Sequence, residues 1–363
     1  MLRKLLLTFF VSLSILITKA QDSTAEKSST KISGSLDAYY RFNFDNAKDQ
    51  GSFNNWTSFT NSQNSFELGM ASIKVEHSFG KAGAVLDLGF GKRAEEFSYN
   101  DRTFSIDGNG DPVSSPTLLA AIKQGFVYYS PSDKVKFTLG KFGTHIGYEL
   151  LDPQLNRNYS MSYMFSYGPF FHTGLKADIA VSDNFSFMLG VSNPTDFSTA
   201  SFAKKFFLAQ IHGASSSGNL SAYLNYVGGK DMAGTTSHQF DAVVTGKVSD
   251  MFSVGYNGTV KTAKNGSADA TFWGSALYFN LDPSSKCGFT LRGEYFDDKD
   301  GLTGLLGTSV LAATLSSNIK VGGLTIIPEL RLDSAKDNFL FVKNSGELSK
   351  STVSFLLAGV FSF

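Results

Sequence analysis

Several short motifs in the 363-residue chain carry residue types that could do chemistry. Asp107-Gly-Asn-Gly-Asp111 places oxygens at alternate positions, as the start of a calcium loop does. Its sixth position is Pro112 rather than Gly and its twelfth is Leu118 rather than Glu, so a polar surface loop fits better than an EF-hand, and a looser calcium site stays open. Gly89-Phe-Gly91-Lys-Arg-Ala94 has the glycines of a dinucleotide fingerprint. No amphipathic helix is expected after it, and the N-terminus of that helix is what binds the pyrophosphate. The Gly140-Lys141 and Gly246-Lys247 pairs lack the Ser or Thr that completes a phosphate loop. His77, His145, His172, His212 and His238 are scattered, with no His-Glu-x-x-His pair and no Cys-His cluster, so neither a metal centre nor a cofactor is expected. A Ser/His/Asp set could assemble from distant segments, but no spacing points to one.

Charged residues with a common spacing are more informative. Asp37, Arg41, Asp87, Lys136, Lys176, Asp178, Asp241, Lys247, Arg292, Glu294, Glu329 and Arg331 each take the parity opposite an apolar row. Successive side chains of a strand point to opposite faces, so each such segment is a strand with one apolar and one charged face. A lipid-facing charge costs ~2–4 kcal/mol at the bilayer midplane for Arg or Lys, whereas one facing a water-filled lumen stays hydrated. In a soluble sandwich the same pattern would put the apolar face inside.

The elements that position these charges follow the same period. Ile32, Gly34, Leu36, Ala38, Tyr40, Phe42 and Phe44 form one row of the first strand. Val353, Phe355, Leu357, Gly359, Phe361 and Phe363 form one row of the last. With these two included there are about sixteen strands, an even number in the range of roughly 14–18. Their connections alternate long and short, as when loops lie on one side of a membrane and tight turns on the other. Some details resist. The strand after residue 64 carries Phe66, Leu68 and Met70, then Ile73, with a phase slip near Ala71-Ser72 that needs a bulge. Pro328 sits within a strand pattern although it has no N–H to donate. Lys141 and His145 fall on the lipid parity unless Gly140 or Gly143 marks a bulge, and residues 202–212 and 270–281 alternate poorly. Tyr39-Tyr40 and Tyr128-Tyr129 are expected in an interfacial girdle.

Met1–Ala20 has a basic start at Arg3-Lys4, an apolar core from Leu5 to Ile17 and a plausible cleavage site before Gln21, and reads as a secretory signal peptide. Its removal leaves 29 basic against 32 acidic groups, no basic field for nucleic acid. Cys287 is the sole cysteine, so no internal disulfide staples the exported chain. Residues 21–31 are expected to be a polar tail and residues 32–363 a single barrel domain; no composition shift divides them, and so short a tail offers no plug domain.

The most specific stretch is Gly140-Lys-Phe-Gly-Thr-His-Ile-Gly-Tyr-Glu149, continuing through Asn158-Tyr159-Ser160 and Phe165 to Gly168-Pro-Phe-Phe-His-Thr-Gly174. It resembles the OmpL-like family of β-barrel outer-membrane porins, specifically across about 140–195 and in layout across much of the chain. The resemblance implies a transmembrane barrel with a channel role and no catalytic residues.

These readings converge on an all-β, antiparallel up-and-down barrel of the outer membrane. It is expected to be a porin for passive diffusion of small hydrophilic solutes, and not an enzyme. A barrel-embedded hydrolase and a non-conducting structural or adhesive barrel are the rivals. The twelve charges above are candidate pore-lining residues, six acids and six bases, a balance that argues against strong ion selectivity from the wall. The long loop Tyr148–Pro169, with Glu149, Asp152 and Arg157, is the candidate constriction, an ordinary surface loop being its alternative. The expected partners are outer-membrane lipid, the solutes, and barrel-assembly machinery engaged through the aromatic-ended last strand; a homotrimer is one assembly left open.

Overall fold

The computed structural model describes residues 27–107, 112–304 and 307–363. Sixteen strands form one closed barrel in which each strand pairs with its neighbours in sequence. They are β1 (Ser28–Asn43), β2 (Ser65–Phe79), β3 (Ala82–Phe90), β4 (Ile122–Ser132), β5 (Val135–Gly143), β6 (Phe171–Ser182), β7 (Phe185–Ser192) and β8 (Phe206–Ala214). Then follow β9 (Leu220–Lys230), β10 (Thr236–Lys247), β11 (Phe252–Asn265), β12 (Ala268–Ser284), β13 (Cys287–Asp297), β14 (Ser309–Val321), β15 (Leu324–Ala335) and β16 (Ser351–Ser362). The even, antiparallel count agrees with the sequence reading. The first strand begins at Ser28, ahead of the expected Ile32. The signal-peptide segment lies outside the described residues, as does most of the calcium-like Asp107–Asp111 motif, whose flanks Arg102–Ile106 and Pro112–Pro116 pair as a small hairpin.

Period 2 places the faces. On β16, Leu356, Ala358 and Val360 are buried inside the barrel while Leu357, Phe361 and Phe363 are exposed outside. Phe66, Leu224, Phe240, Leu311 and Leu330 continue the outer apolar belt, Phe66 at 87% exposure. Leaving such side chains in water would forgo about 1.5–3 kcal/mol each, so a belt of this extent marks a lipid-facing surface. The barrel closes between β1 and β16. Leu36 faces Phe361 and Phe42 faces Phe355. The Gly34 and Phe363 backbones exchange both hydrogen bonds, at 3.0 and 3.1 Å. The Phe363 ring covers Gly34, where a Cβ would meet it at 2.7 Å.

Tight turns join the strands at one rim, as at Gly80-Lys81 and Gly322-Gly323, and longer connections such as 91–121, 144–170 and 336–350 lie at the other. The alternation of long and short fails at β11–β12, joined on the long-loop side by Gly266-Ser267 alone. These two strands are 14 and 17 residues long and form a tall hairpin, which Gly266 closes with φ 62°.

The irregular positions resolve into specific geometry. The slip in β2 falls at Gly69: Asp37 faces Met70 and Ala38 faces Leu68. Met70 therefore leaves the outward row and is buried inside. Pro328 keeps its place in β15 because the pairing with β14 opens there, passing from Ser316↔Glu329 to Ile319↔Ile326. Gly140 adopts φ 138°, and beyond it Lys141 is buried, salt-bridged to Asp101 at 3.0 Å rather than facing lipid. His145 lies past the end of β5, with Nε2 2.9 Å from the Tyr226 carbonyl. Only one member of each tyrosine pair expected in a girdle faces outward, since neighbours on a strand point to opposite faces. Tyr40 faces outward but Tyr39 is buried inside against Tyr159; Tyr129 is exposed while Tyr128 lies under the Lys136 ammonium. A short helix, α1 (Lys92–Phe97), does follow Gly91, contrary to the sequence reading, but its six residues hold Arg93 inside the barrel.

Candidate functional site

The connection 144–170 enters the barrel. Its polar atoms bond residues of β1, β4, β10 and β13–β15, strands on opposite sides of a closed ring, and such contacts can be made only from within. Carboxylates of the wall receive its backbone amides. Glu294 accepts from Tyr163 N (2.9 Å) and Met164 N (2.8 Å), the first turn of the short helix α2 (Tyr163–Tyr167), where unpaired N–H groups favour an anion. Ser162 caps the same turn through Phe165 N. Glu329 accepts from Tyr159 N at 2.9 Å and from Ser316 Oγ at 2.8 Å. Asp241 accepts from Gly147 N at 3.0 Å, held by Asn225 and Asn257. Asp37 accepts the Tyr159 hydroxyl.

Guanidinium groups receive the segment's carbonyls. Arg292 donates to Ser160 O (2.8 Å), Met161 O (3.3 Å) and Thr314 Oγ1 (3.1 Å) and forms an ion pair with Glu149. Arg331 donates to Met161 O at 2.7 Å and clasps Asp333 through two nitrogens. Arg93 reaches in from α1, its guanidinium 4.8 Å from the Tyr159 ring centroid and donating to Leu151 O at 3.1 Å. Apolar packing completes the seat: the Tyr148 ring lies tilted against Tyr278, centroids 4.2 Å apart, and Met164 lies where a Cβ on Gly274 would sit.

The candidate constriction residues are thus each tied to another part of the protein: Glu149 to Arg292, Asp152 to Lys123, and Arg157 to Asp282. Of the twelve candidate wall residues, Asp37, Asp241, Arg292, Glu294, Glu329 and Arg331 bond the segment directly, and Asp87 joins it through Lys123 at 3.0 Å. All seven are buried. Arg41 is buried too but holds a different connection, through Phe53 O, Ser62 O and Asn54 O. Lys136, Lys176, Asp178 and Lys247 do not join this network. Lys136 covers Tyr128, Lys176 pairs with Asp178 at 3.0 Å, and Lys247 pairs with Asp250 at a tight turn. Isolated ion pairs of the buried kind add little net stability, because desolvation offsets their attraction, but removing one member is costly. They set where the segment lies.

Sequence reasoning missed Lys123, Asp333, Arg93 and Lys261. Asp333 shares the parity of Arg331, and Lys261 lies opposite the outward Val254–Val260 row, so both were findable. Lys123 was not: it sits at a register shift between Asp87↔Gln124 and Leu88↔Ile122 that turns it inward.

Space remains beside the segment. A cavity of about 250 Å³ lies between it and β3–β5, lined by Asp87, Lys123, Gln124, Asp152, Leu151 and Phe97. One of about 160 Å³ lies toward the tight turns, by Arg157, Asp282, Asn318 and Lys320. Asp196, in the connection after β7, clamps the returning end of the segment by accepting from Phe170 N (2.7 Å) and Phe171 N (3.0 Å). Burial raises its carboxyl from the ordinary 3.8 to about 6, against the lowering effect of those amides. A folded value above the unfolded one means that this group's contribution is fully present below about pH 4 and is lost as pH rises through about 6. Asp196→Asn should flatten that part of the pH profile, read as protease resistance of the segment between pH 4 and 7; an unchanged profile would remove Asp196 as its source.

Residues 29–363 match the family model described as "Putative beta-barrel porin-2, OmpL-like". No curated protein sequence matches the chain. In fold it is similar to an anion-selective porin from Comamonas acidovorans (TM-score 0.61, 10% identity, covering 93% of this chain and 100% of that one). It is also similar to the outer-membrane channel DcaP of Acinetobacter baumannii (TM-score 0.60, 11% identity, 94% and 99%). A third similar structure is the trimer form of OmpT, an outer-membrane protein of Vibrio cholerae (TM-score 0.55, 13% identity, 93% and 99%).

Proposed function

The chain belongs to the OmpL-like beta-barrel porin-2 family, and on that basis we propose that it conducts small hydrophilic solutes passively through a narrow aqueous path beside its inward segment. It is an outer-membrane β-barrel porin by family and fold. The observation that carries the narrowness is the segment itself. Sixteen strands enclose a lumen wide enough for a channel, and residues 144–170 are tied across it to strands on opposite sides. The cavity of about 250 Å³ beside it matches a handful of waters at about 30 Å³ each, which suits small solutes.

In this reading the wall charges divide in two. Asp37, Asp87, Asp241, Arg292, Glu294, Glu329 and Arg331 hold the segment, and Lys136, Lys176, Asp178 and Lys247 are left to line the path. The overall balance of acids and bases then says little about selectivity, because the buried groups are taken up by counter-charges and by the polar atoms of the segment. Export through a cleaved signal peptide, insertion by barrel-assembly machinery through β16, and a trimer like that of OmpT complete the proposal.

A barrel-embedded hydrolase needs a serine, a histidine and an orienting acid in hydrogen-bond sequence. His212 stands between Ser221 (2.9 Å) and Ser186 (3.4 Å), and among the described residues no carboxylate hydrogen-bonds it. Planar-bilayer recording of the purified barrel tests the function. Discrete, ohmic conductance steps are expected; a folded barrel that conducts under no condition would sink the porin reading in favour of a structural role.

A further inference from the structure

Lys261 makes no ion pair or hydrogen bond through its ammonium among the described residues. It projects from the inner face of β11 into the mouth on the long-loop side, above the returning end of the inward segment. Among the described residues no hydrogen bond or ion pair within 4.0 Å claims its Nζ; its recorded contact is the Phe272 ring, 5.8 Å away. It lines a cavity of about 450 Å³ with Tyr99, Ser166, Tyr167, Phe170 and Phe272.

Two acids share that cavity, Glu96 and Asp196, and both are already engaged by donors of the protein. Asp196 accepts two backbone amides through Oδ1 and the Tyr99 hydroxyl through Oδ2. Glu96 accepts Phe59 N through Oε2 and Asn61 Nδ2 through Oε1. Asp231, the other acid whose field reaches Lys261, accepts Thr235 N. Both oxygens of Glu96 and of Asp196 thus accept donors of the protein, whereas the Lys261 ammonium meets no acceptor among the described residues. Four rings, Tyr99, Tyr167, Phe170 and Phe272, stand in the rest of a mixed wall with small polar and apolar residues, and ring faces take up planar apolar groups.

We propose that this cavity captures small aromatic carboxylates, with the carboxylate on Lys261 Nζ and the ring between Phe272, Phe170 and Tyr167. The site deepens the porin reading by naming a solute class, and its capture step is separable from conductance. A charge-assisted hydrogen bond in a partly dry site is what gives such capture its preference over neutral solutes of the same shape.

The test uses the full-length barrel in detergent, with benzoate as probe and benzyl alcohol as its uncharged counterpart, read by saturation-transfer NMR and titration calorimetry. Benzoate should bind wild type, with benzyl alcohol weaker. Lys261→Met should weaken benzoate on the order of tenfold or more while leaving benzyl alcohol unchanged, and Lys261→Arg should retain binding. Heat-dependent gel mobility checks that each variant is folded. In parallel bilayers, benzoate should reduce wild-type current and have less effect on Lys261→Met. Equal benzoate binding by wild type and folded Lys261→Met, or none by wild type, overturns the proposal even if the barrel conducts. Lys261-dependent binding to a barrel that never conducts upholds the site and counts against the porin reading instead.

Discussion

Arg292→Met is expected to free residues 144–170 from the far wall and to raise single-channel conductance. Arg292 is the densest anchor, donating to Glu149, Ser160 O, Met161 O and Thr314 Oγ1 from a fully buried position. Methionine can replace its bulk but none of these donors. Glu149 would keep Ser162 N and the Tyr278 hydroxyl and lose its counter-ion. Breaking a buried pair by removing one member costs about 3–5 kcal/mol, enough to shift a docked segment toward an undocked one. The expected signature is larger and noisier current, with new protease cleavage within 144–170 while the heat-resistant barrel persists. Glu149→Leu combined with Arg292→Met should recover part of the docking, because a buried pair replaced by apolar groups of similar volume is often neutral. Wild-type conductance and protease resistance in Arg292→Met would mean that the segment either does not constrict the path or is held without this anchor.

The second large effect concerns the barrel itself. Gly140→Ala and Gly174→Ala should each abolish or sharply reduce the folded, heat-modifiable form. These glycines face each other across β5 and β6. A Cβ on Gly140 would lie 2.3 Å from Gly125 O and 2.7 Å from Phe126 Cα, and one on Gly174 would lie 2.1 Å from Val191 O and 2.6 Å from Ser192 Cα. Those atoms belong to the backbones of adjacent strands and cannot rotate aside, so the ladder must part. Gly140 adds a φ of 138°, a conformation costing on the order of 1–3 kcal/mol for a side-chain-bearing residue. Gly293→Ala is the matched control, since a Cβ there meets nothing within 4 Å. Normal folding of Gly140→Ala would show that the upper part of β5 tolerates another path.

The physical reason for those glycines ties the barrel to the channel. Past Gly140 the strand turns so that Lys141 and Phe142 are both buried, and the chain leaves β5 directly into the lumen. The same event explains two segments whose alternation looked poor. β8 turns Phe206 and Leu208 inward to pack with Ile146, and β12 turns Phe272, Gly274 and Ala276 inward, with Met164 in the same cluster. An inward face that meets protein instead of water has no need of polar residues, so weak alternation marked where the lumen is filled. That signal was present in the chain, but by itself it reads as a weak strand.

Local chemistry decided much of this protein. The strand faces, charges on one and apolar rows such as that ending at Phe363 on the other, follow from a period of two, because that period is a property of the extended backbone and each residue reports its own face. What the inward charges do was decided only by the tertiary structure. Glu149 and Arg292 are 143 positions apart, and Asp37 and Tyr159 are 122 apart. No periodicity links such residues; barrel closure brings the strands into one ring, and the inward segment then selects which charges are paired. A row of twelve charges that looked like a hydrated wall became, for seven of them, the seat of the segment that crosses it. Among the described residues Lys261 was left out of that pairing, which only the assembled barrel could show.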